Sequence, residues 1–187
     1  MNDHAHLARF MEAASRVGSV VKEVDSLQDV AVYVREQSSG RTLVPETPLE
    51  KKHNLKKLLT ASGVDVFEGD FRKAGYEPAA GVTFCNFVMA DTGTVVLEST
   101  AEDIRLATTL PVIHFVLVDP ATILEDNLAA AGPMSDIHAG AEPRFVAYIT
   151  GPSRTADIER VLTIGCHGPR ELHILVVKGI SSDLMEN

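Results

Sequence analysis

Two hydrophobic periods alternate along the chain, and their order gives the first structural signal. From Leu7 the apolar residues Phe10, Met11, Ala14, Val17, Val20, Val21 and Val24 recur at the spacing of a helix with one buried stripe. A second helix follows Ser26, with Leu27, Val30, Ala31 and Val34 on one side. After the break SSGRT, the run RTLVPE predicts a short strand, LEKKHNLKKLLTASG a helix closed by Gly63, and VDVFEG another strand, together a βαβ unit with parallel strands. FRKAGYEPAAG has the Gly and Pro content of a loop.

The second half changes character. GVTFCNFVMA and TVVLES flank ADTG, which predicts an antiparallel hairpin. Ser99 with Glu102 three residues on has the form of a capping box, so STAEDIRLATTL reads as a helix ending before Pro111. VIHFVLVD is apolar on both faces, as expected of a strand covered on both sides. Asp119 and Pro120 supply an N-cap and a first-position proline for a helix through ATILEDNLAAAG, which Gly132 would close. PMSDIHAGAEP is then a loop, RFVAYIT a strand, residues 155–164 a helix, and ELHILVVK the last strand. The expected architecture is α/β, a mainly parallel sheet flanked by helices with one β-hairpin. Residues 1–40 are expected to form an N-terminal helical segment packing on a main domain of residues 41–187.

Composition narrows the function classes. At 187 residues, 45% apolar and 23% charged, the chain has the make-up of one ordinary globular domain. No apolar run approaches the roughly 20 residues of a membrane helix. MNDHAHLARF lacks the basic and apolar regions of an export signal, so a cytoplasmic location away from any membrane is expected. Cys85 and Cys166 are expected to be free thiols, and with no CxxC the chain cannot by itself supply a four-cysteine iron-sulfur cluster. A net charge of -9 disfavours nucleic acid and leaves small anions open.

The densest chemistry lies in YITGPSRTADIERVLTIGCHGP. If a helix starts at Thr155, its first amides lack intrahelical partners and Gly151 lets the main chain approach a ligand, so Ser153, Arg154 and Thr155 would complete a cradle for a carboxylate or phosphate. The competing reading is a capped helix after a Gly-Pro turn. The motif is neither a P-loop nor GxGxxG. A regular ten-residue helix would hold its ends about 15 Å apart. The Gly151 and His167 loops would then serve different places, and only a segment that is part loop would let His167 and Arg170 reach the same pocket.

Asp91, Thr92 and Gly93 present either a carboxylate and hydroxyl in a pocket or hairpin turn chemistry. His114 and His173, inside apolar strands, read as satisfied core histidines. No HExxH-like spacing supports a metal site. Cys85 and Cys166 read as buried fillers, and Asp157 and Glu159 as dipole partners of the expected helix.

GVTFCNFVMADTGTVVLES, RLATTLPVIHFVLVDPATIL, ITGPSRTADIE and IGCHGPRELHILVV together resemble the LUD domain, the lactate-utilisation family. The resemblance implies a fold similar to the NagB/RpiA/CoA transferase-like group. It also implies a part in oxidising L-lactate to pyruvate beside partner subunits that carry iron-sulfur clusters, with no cofactor in this chain. The matching positions are Asp91, Thr92, Gly93 and Thr94; Arg105, Pro111 and His114; Gly151, Pro152, Ser153, Thr155, Asp157 and Glu159; and His167, Gly168 and Pro169. Phe84, Asn86, Arg154 and Cys166 depart from the pattern, and Phe84 is expected to narrow a pocket beside the hairpin. Asp91 and His167 are the expected catalytic candidates, with Thr92, Gly93, Thr94, Gly151, Ser153, Arg154 and Thr155 binding a small carboxylate or phosphate. The alternative is a stand-alone isomerase, CoA transferase or cyclo-ligase acting on a phosphorylated or CoA-linked metabolite, with Asp91 as general base.

Overall fold

The computed structural model describes residues 3–75, 78–155, 163–165 and 167–186. Its elements run α1 (Asp3–Arg16), β1 (Val20–Val24), α2 (Leu27–Gln37), β2 (Thr42–Leu43), α3 (Pro48–His53), α4 (Leu55–Ala61), β3 (Ala80–Phe84), β4 (Phe87–Met89) and β5 (Thr94–Glu98). They continue with α5 (Glu102–Thr109), β6 (Ile113–Val118), β7 (Ile123–Leu124), α6 (Asn127–Ile137), β8 (Val146–Ile149), β9 (Arg154–Thr155), β10 (Thr163–Ile164) and β11 (Glu171–Val177). A five-stranded sheet of order β1-β11-β6-β3-β2 is parallel throughout. A four-stranded sheet of order β7-β4-β5-β8 carries the hairpin.

The α/β architecture with its mostly parallel sheet is as the alternating periods foretell. Four layers follow from where the apolar faces go. Phe84, Phe115 and Leu117 of the main sheet pack with Val30 and Val34 of α2 and Leu55 and Leu59 of α4. On the other face, Val116, Val118 and Ile174 meet Phe10 and Ala14 of α1 and Val88 and Val95 of the hairpin. Beyond the hairpin, Phe87, Met89 and Val96 pack against Ala130 and Ile137 of α6. The middle strands thus face apolar layers on both sides. Each fully buried Leu, Ile or Phe here contributes roughly 1.5–3 kcal/mol.

Several elements differ from expectation for identifiable reasons. The first helix ends at Arg16, Gly18 turns the chain at φ +89°, and Val20–Val24 becomes an edge strand beside β11. The stretch expected to be a helical N-terminal segment therefore supplies one strand of the main sheet. The helix expected up to Gly63 breaks at Asn54, which adopts φ +51°. VDVFEG contributes a single bridge, Thr42 to Val66. GVTFCNFVMA divides at Cys85 and Asn86 into a strand of each sheet.

Caps account for two more differences. The N-cap of α5 is Ala101, without a side-chain bond, and Ser99 Oγ instead donates to the carbonyl of Phe145. Asp119 caps only a 3-10 turn, while Asp126 caps α6 by accepting from the amide of Ala129. That helix then runs through Gly132 and Pro133 to Ile137, so the first part of the expected loop is helical. The other Asp119 oxygen accepts from the amides of Ile180 and Ser181 at 2.7 and 3.0 Å, tying down the C-terminal tail.

Candidate functional site

The segment 154–164 does not begin as a helix. Arg154 pairs with Ile164, and Thr155 with Thr163, in a two-stranded antiparallel ladder. The backbone amide of Ser153 donates to the carbonyl of Pro169 at 2.9 Å, and that of Gly165 to the carbonyl of Ser153 at 2.8 Å. The expected helix start with open amides at Thr155 is therefore replaced by paired strands. Asp157, Glu159 and Cys166 lie outside the described residues. The same pairing removes the 15 Å separation assumed for a regular helix and closes the Gly151 and His167 loops onto each other.

Glycines permit that closure. A Cβ at Gly168 would sit 3.2 Å from Ser153 Oγ, so a side chain there would press the two loops apart. Gly151, at φ +81°, presents its α-carbon to the C-terminal end of α1, where a Cβ would overlap the carbonyl oxygen of Val17. The close approach expected between Gly151 and a ligand is thus made to the protein itself. Arg154 lies over this contact, its guanidinium against Gly18 and Gly151.

Behind the closed loops is a cavity of about 250 Å³. Its walls are Thr108 and Thr109 at the end of α5, His114 and Leu172 at the amino ends of β6 and β11, Ala147, Tyr148 and Ile149 of β8, and the loop residues Thr150, Gly151, Pro152, Ser153, His167, Gly168 and Pro169. It therefore lies at the amino ends of the parallel strands, because TGPSRT follows a strand of the antiparallel sheet. Among the described lining residues there is no Lys or Arg. Apolar wall, hydroxyls and two imidazoles suit a small amphiphilic molecule better than a polyanion.

His114 is the chemically unusual wall residue. It is 1% exposed, and its Nε2 lies 2.9 Å from Thr83 Oγ1 while Nδ1 has no hydrogen-bond partner. Burial pushes its pKa down to about 3, so the ring is neutral at ordinary pH. An unpaired buried nitrogen costs about 1–3 kcal/mol. Sequence reasoning took His114 for a satisfied core residue and passed over Thr108 and Thr109. The available signal was a polar position on the face of β6 that otherwise points Val116 and Val118 at the hairpin. His173 matches the expectation of a satisfied histidine, with Nδ1 3.0 Å from Tyr33 Oη and Nε2 2.9 Å from Glu171 Oε2.

The remaining candidates divide between cavity and frame. Gly151, Ser153 and His167 line the cavity; Asp91, Thr92, Gly93, Thr94, Arg154 and Thr155 do not. Asp91 has a buried Oδ1 without a partner, and its amide donates to the carbonyl of Glu125. Gly93, at φ +67°, packs its α-carbon against the backbone of Ala13 and Ala14 in α1. Thr92 Oγ1 is 2.7 Å from Thr94 Oγ1, which is 2.9 Å from Thr150 Oγ1, so hydroxyls link the hairpin to the cavity wall. Arg105 braces the frame by donating to the carbonyls of Ser99 and Thr100, both at 2.6 Å. Phe84 faces the α2 and α4 layer and stacks on His53, away from the hairpin it was expected to crowd. No group of three or more His, Cys, Asp or Glu among the described residues could hold a metal ion.

The family model for the LUD domain matches residues 2–177. The chain belongs to the LUD domain family. Lactate utilization protein C of Bacillus subtilis (strain 168) is 34% identical over 152 residues, covering 74% of this chain and 63% of that protein. Its counterpart from Geobacillus thermodenitrificans (strain NG80-2) is 31% identical over 162 residues, covering 80% and 66%. The chain thus spans less than two thirds of the length of these relatives. A crystal structure of a DUF162 family protein from Deinococcus radiodurans superposes with a TM-score of 0.68 at 17% identity, over 95% of this chain and 99% of that one, which establishes a shared LUD-type fold. No described helix of this chain is long and apolar enough to cross a membrane.

Proposed function

We propose that this chain is a cytoplasmic, non-cluster component of an L-lactate utilisation system and holds a small carboxylate in the cavity behind the Gly151 and His167 loops. Oxidation of L-lactate to pyruvate would use iron-sulfur clusters carried by partner subunits, since this chain has only two cysteines. The names of its relatives motivate the metabolic assignment. The observation that carries the ligand reading is the closure of two family motifs over one cavity, with Ser153 N–H on Pro169 O. At its mouth, exposed His167 and the Ser153 hydroxyl supply donors for a carboxylate, and the apolar wall accommodates a short carbon chain. Asp91 would support this site from the hairpin rather than as a base within the cavity.

The alternative is a stand-alone enzyme of the NagB/RpiA/CoA transferase-like kind that the sequence resemblance implies. The cavity wall argues against its phosphorylated or CoA-linked substrates, because no described Lys or Arg lines it to balance their charge. Deleting the gene in its host should abolish growth on L-lactate while leaving growth on pyruvate intact, and affinity purification of the tagged chain should recover iron-sulfur subunits. Normal growth on lactate, together with purification of the chain alone, would overturn the assignment.

A further inference from the structure

Three buried side-chain polar atoms among the described residues have no hydrogen-bond partner: Ser19 Oγ, Asp91 Oδ1 and His114 Nδ1. Of these residues, only His114 lines the cavity. Its ring is fixed at one end, Nε2 lying 2.9 Å from Thr83 Oγ1 on the neighbouring strand β3. Thr108, Thr109, Thr150 and Ser153 also bring hydroxyls to the cavity, which is otherwise walled by apolar groups such as Leu172 and Ile149, but among the described lining residues His114 is the one with a buried side-chain atom left without a hydrogen-bond partner.

We propose that His114 is the specificity-determining residue of the cavity. Through Nδ1 it recognises an oxygen on the carbon next to the ligand's carboxylate, so that 2-hydroxy and 2-oxo acids are held in preference to the plain acid. This rests on reading the cavity as a small-carboxylate site. Orientation follows from the chemistry of the walls: carboxylate outward at His167 and Ser153, methyl group against Leu172 and Ile149, and the 2-oxygen at His114.

Thr83 makes the imidazole able to serve both ligand forms. When the Thr83 hydroxyl donates to Nε2, the proton of the neutral ring sits on Nδ1, which then donates to a ketone oxygen. When Nε2–H donates to Thr83, Nδ1 is an acceptor and takes the hydrogen of a 2-hydroxyl group. A charged histidine would offer donors only. A site that hydrogen-bonds an oxygen rejects the analogue lacking it more strongly than an apolar pocket rejects an added hydroxyl.

The test uses the full chain labelled with 15N-histidine and titrated separately with L-lactate, pyruvate and propionate, reading the ring nitrogens of His114 by long-range 1H–15N NMR. L-lactate and pyruvate should bind at least tenfold more tightly than propionate. They should shift the Nδ1 resonance in opposite directions, as acceptor and donor forms are selected. His114→Phe should abolish the tenfold preference, and Thr83→Val, which leaves the imidazole in place, should weaken it and move the Nε2 resonance. Equal binding of all three acids, or binding that leaves Nδ1 unmoved, overturns the role of His114 and leaves the small-carboxylate reading standing. Failure of all three to bind overturns both.

Discussion

Thr94 Oγ1 of the hairpin lies 2.9 Å from Thr150 Oγ1 at the start of the cavity loop, joining two sequence motifs 56 residues apart. Thr94 is also 2.7 Å from Thr92 Oγ1 and is itself 3% exposed, so its buried hydroxyl is the middle link of two hydrogen bonds among three hydroxyls. Thr94→Val keeps the shape and removes the middle hydroxyl. Stability should fall by about 1 kcal/mol or more, read as a lower urea midpoint at unchanged slope. Thr94→Ser, which keeps the oxygen, should restore most of the loss. Equal midpoints for the valine and serine variants would show that the chain of hydroxyls contributes nothing.

Gly151 and Gly179 separate backbone strain from collision. Both have positive φ, +81° and +84°, but a Cβ at Gly151 would overlap Val17 O while nothing lies within 4 Å of one at Gly179. Gly179→Ala should cost about 1–2 kcal/mol, the penalty of an L-residue in the left-handed region. Gly151→Ala should cost distinctly more, since the end of α1 must also move. Thermal or urea unfolding of the two variants makes the comparison, and equal losses would mean that α1 yields freely.

The fold was legible wherever a local pattern coincided with a tertiary layer. Apart from His114, VIHFVLVD is apolar on both faces along β6 because both faces of the strand are covered, and Ser26 accepts from the amide of Asp29 as its sequence context suggests. Where two local signals competed, the sequence misled. Val17, Val20, Val21 and Val24 continue a helical spacing, yet β-branched residues after Gly18 suit the open edge of β11 equally well, and pairing there decides the matter. The cavity was half legible: the loops were identified by their glycines and hydroxyls. Their closure was not, because it depends on non-local pairs such as Ser153 with Pro169, which no periodicity encodes.

His114 makes stability depend on pH with a defined sign. Its pKa is about 3 in the folded protein against an ordinary value of 6.5, so between these values the unfolded chain binds the additional proton. The contribution of neutral burial is therefore complete above about pH 6.5 and is lost as pH falls toward 3. One pKa unit corresponds to about 1.36 kcal/mol, so roughly 2 kcal/mol of stability should be gone by pH 5 from this group. His114→Gln cannot titrate, and its stability should fall less between pH 7 and pH 5. Urea melts at the two pH values give the difference, and identical pH dependence in both proteins would place the imidazole in contact with water.

Cys85 should be chemically silent in the folded protein. It stands where β3 gives way to the hairpin, is 5% exposed, and its thiol donates to Leu117 O at 3.5 Å. Burial pushes its pKa up to about 12, so at pH 8 only about one molecule in 10,000 carries the reactive thiolate. In a Cys166→Ser background, labelling by a disulfide reagent at pH 8 should proceed only through opening of the layer between the two sheets. The rate should then rise with urea in parallel with the fraction unfolded. Rapid stoichiometric labelling without denaturant would show instead that the junction between β3 and β4 opens independently of the core, and that the two sheets are not held as one unit.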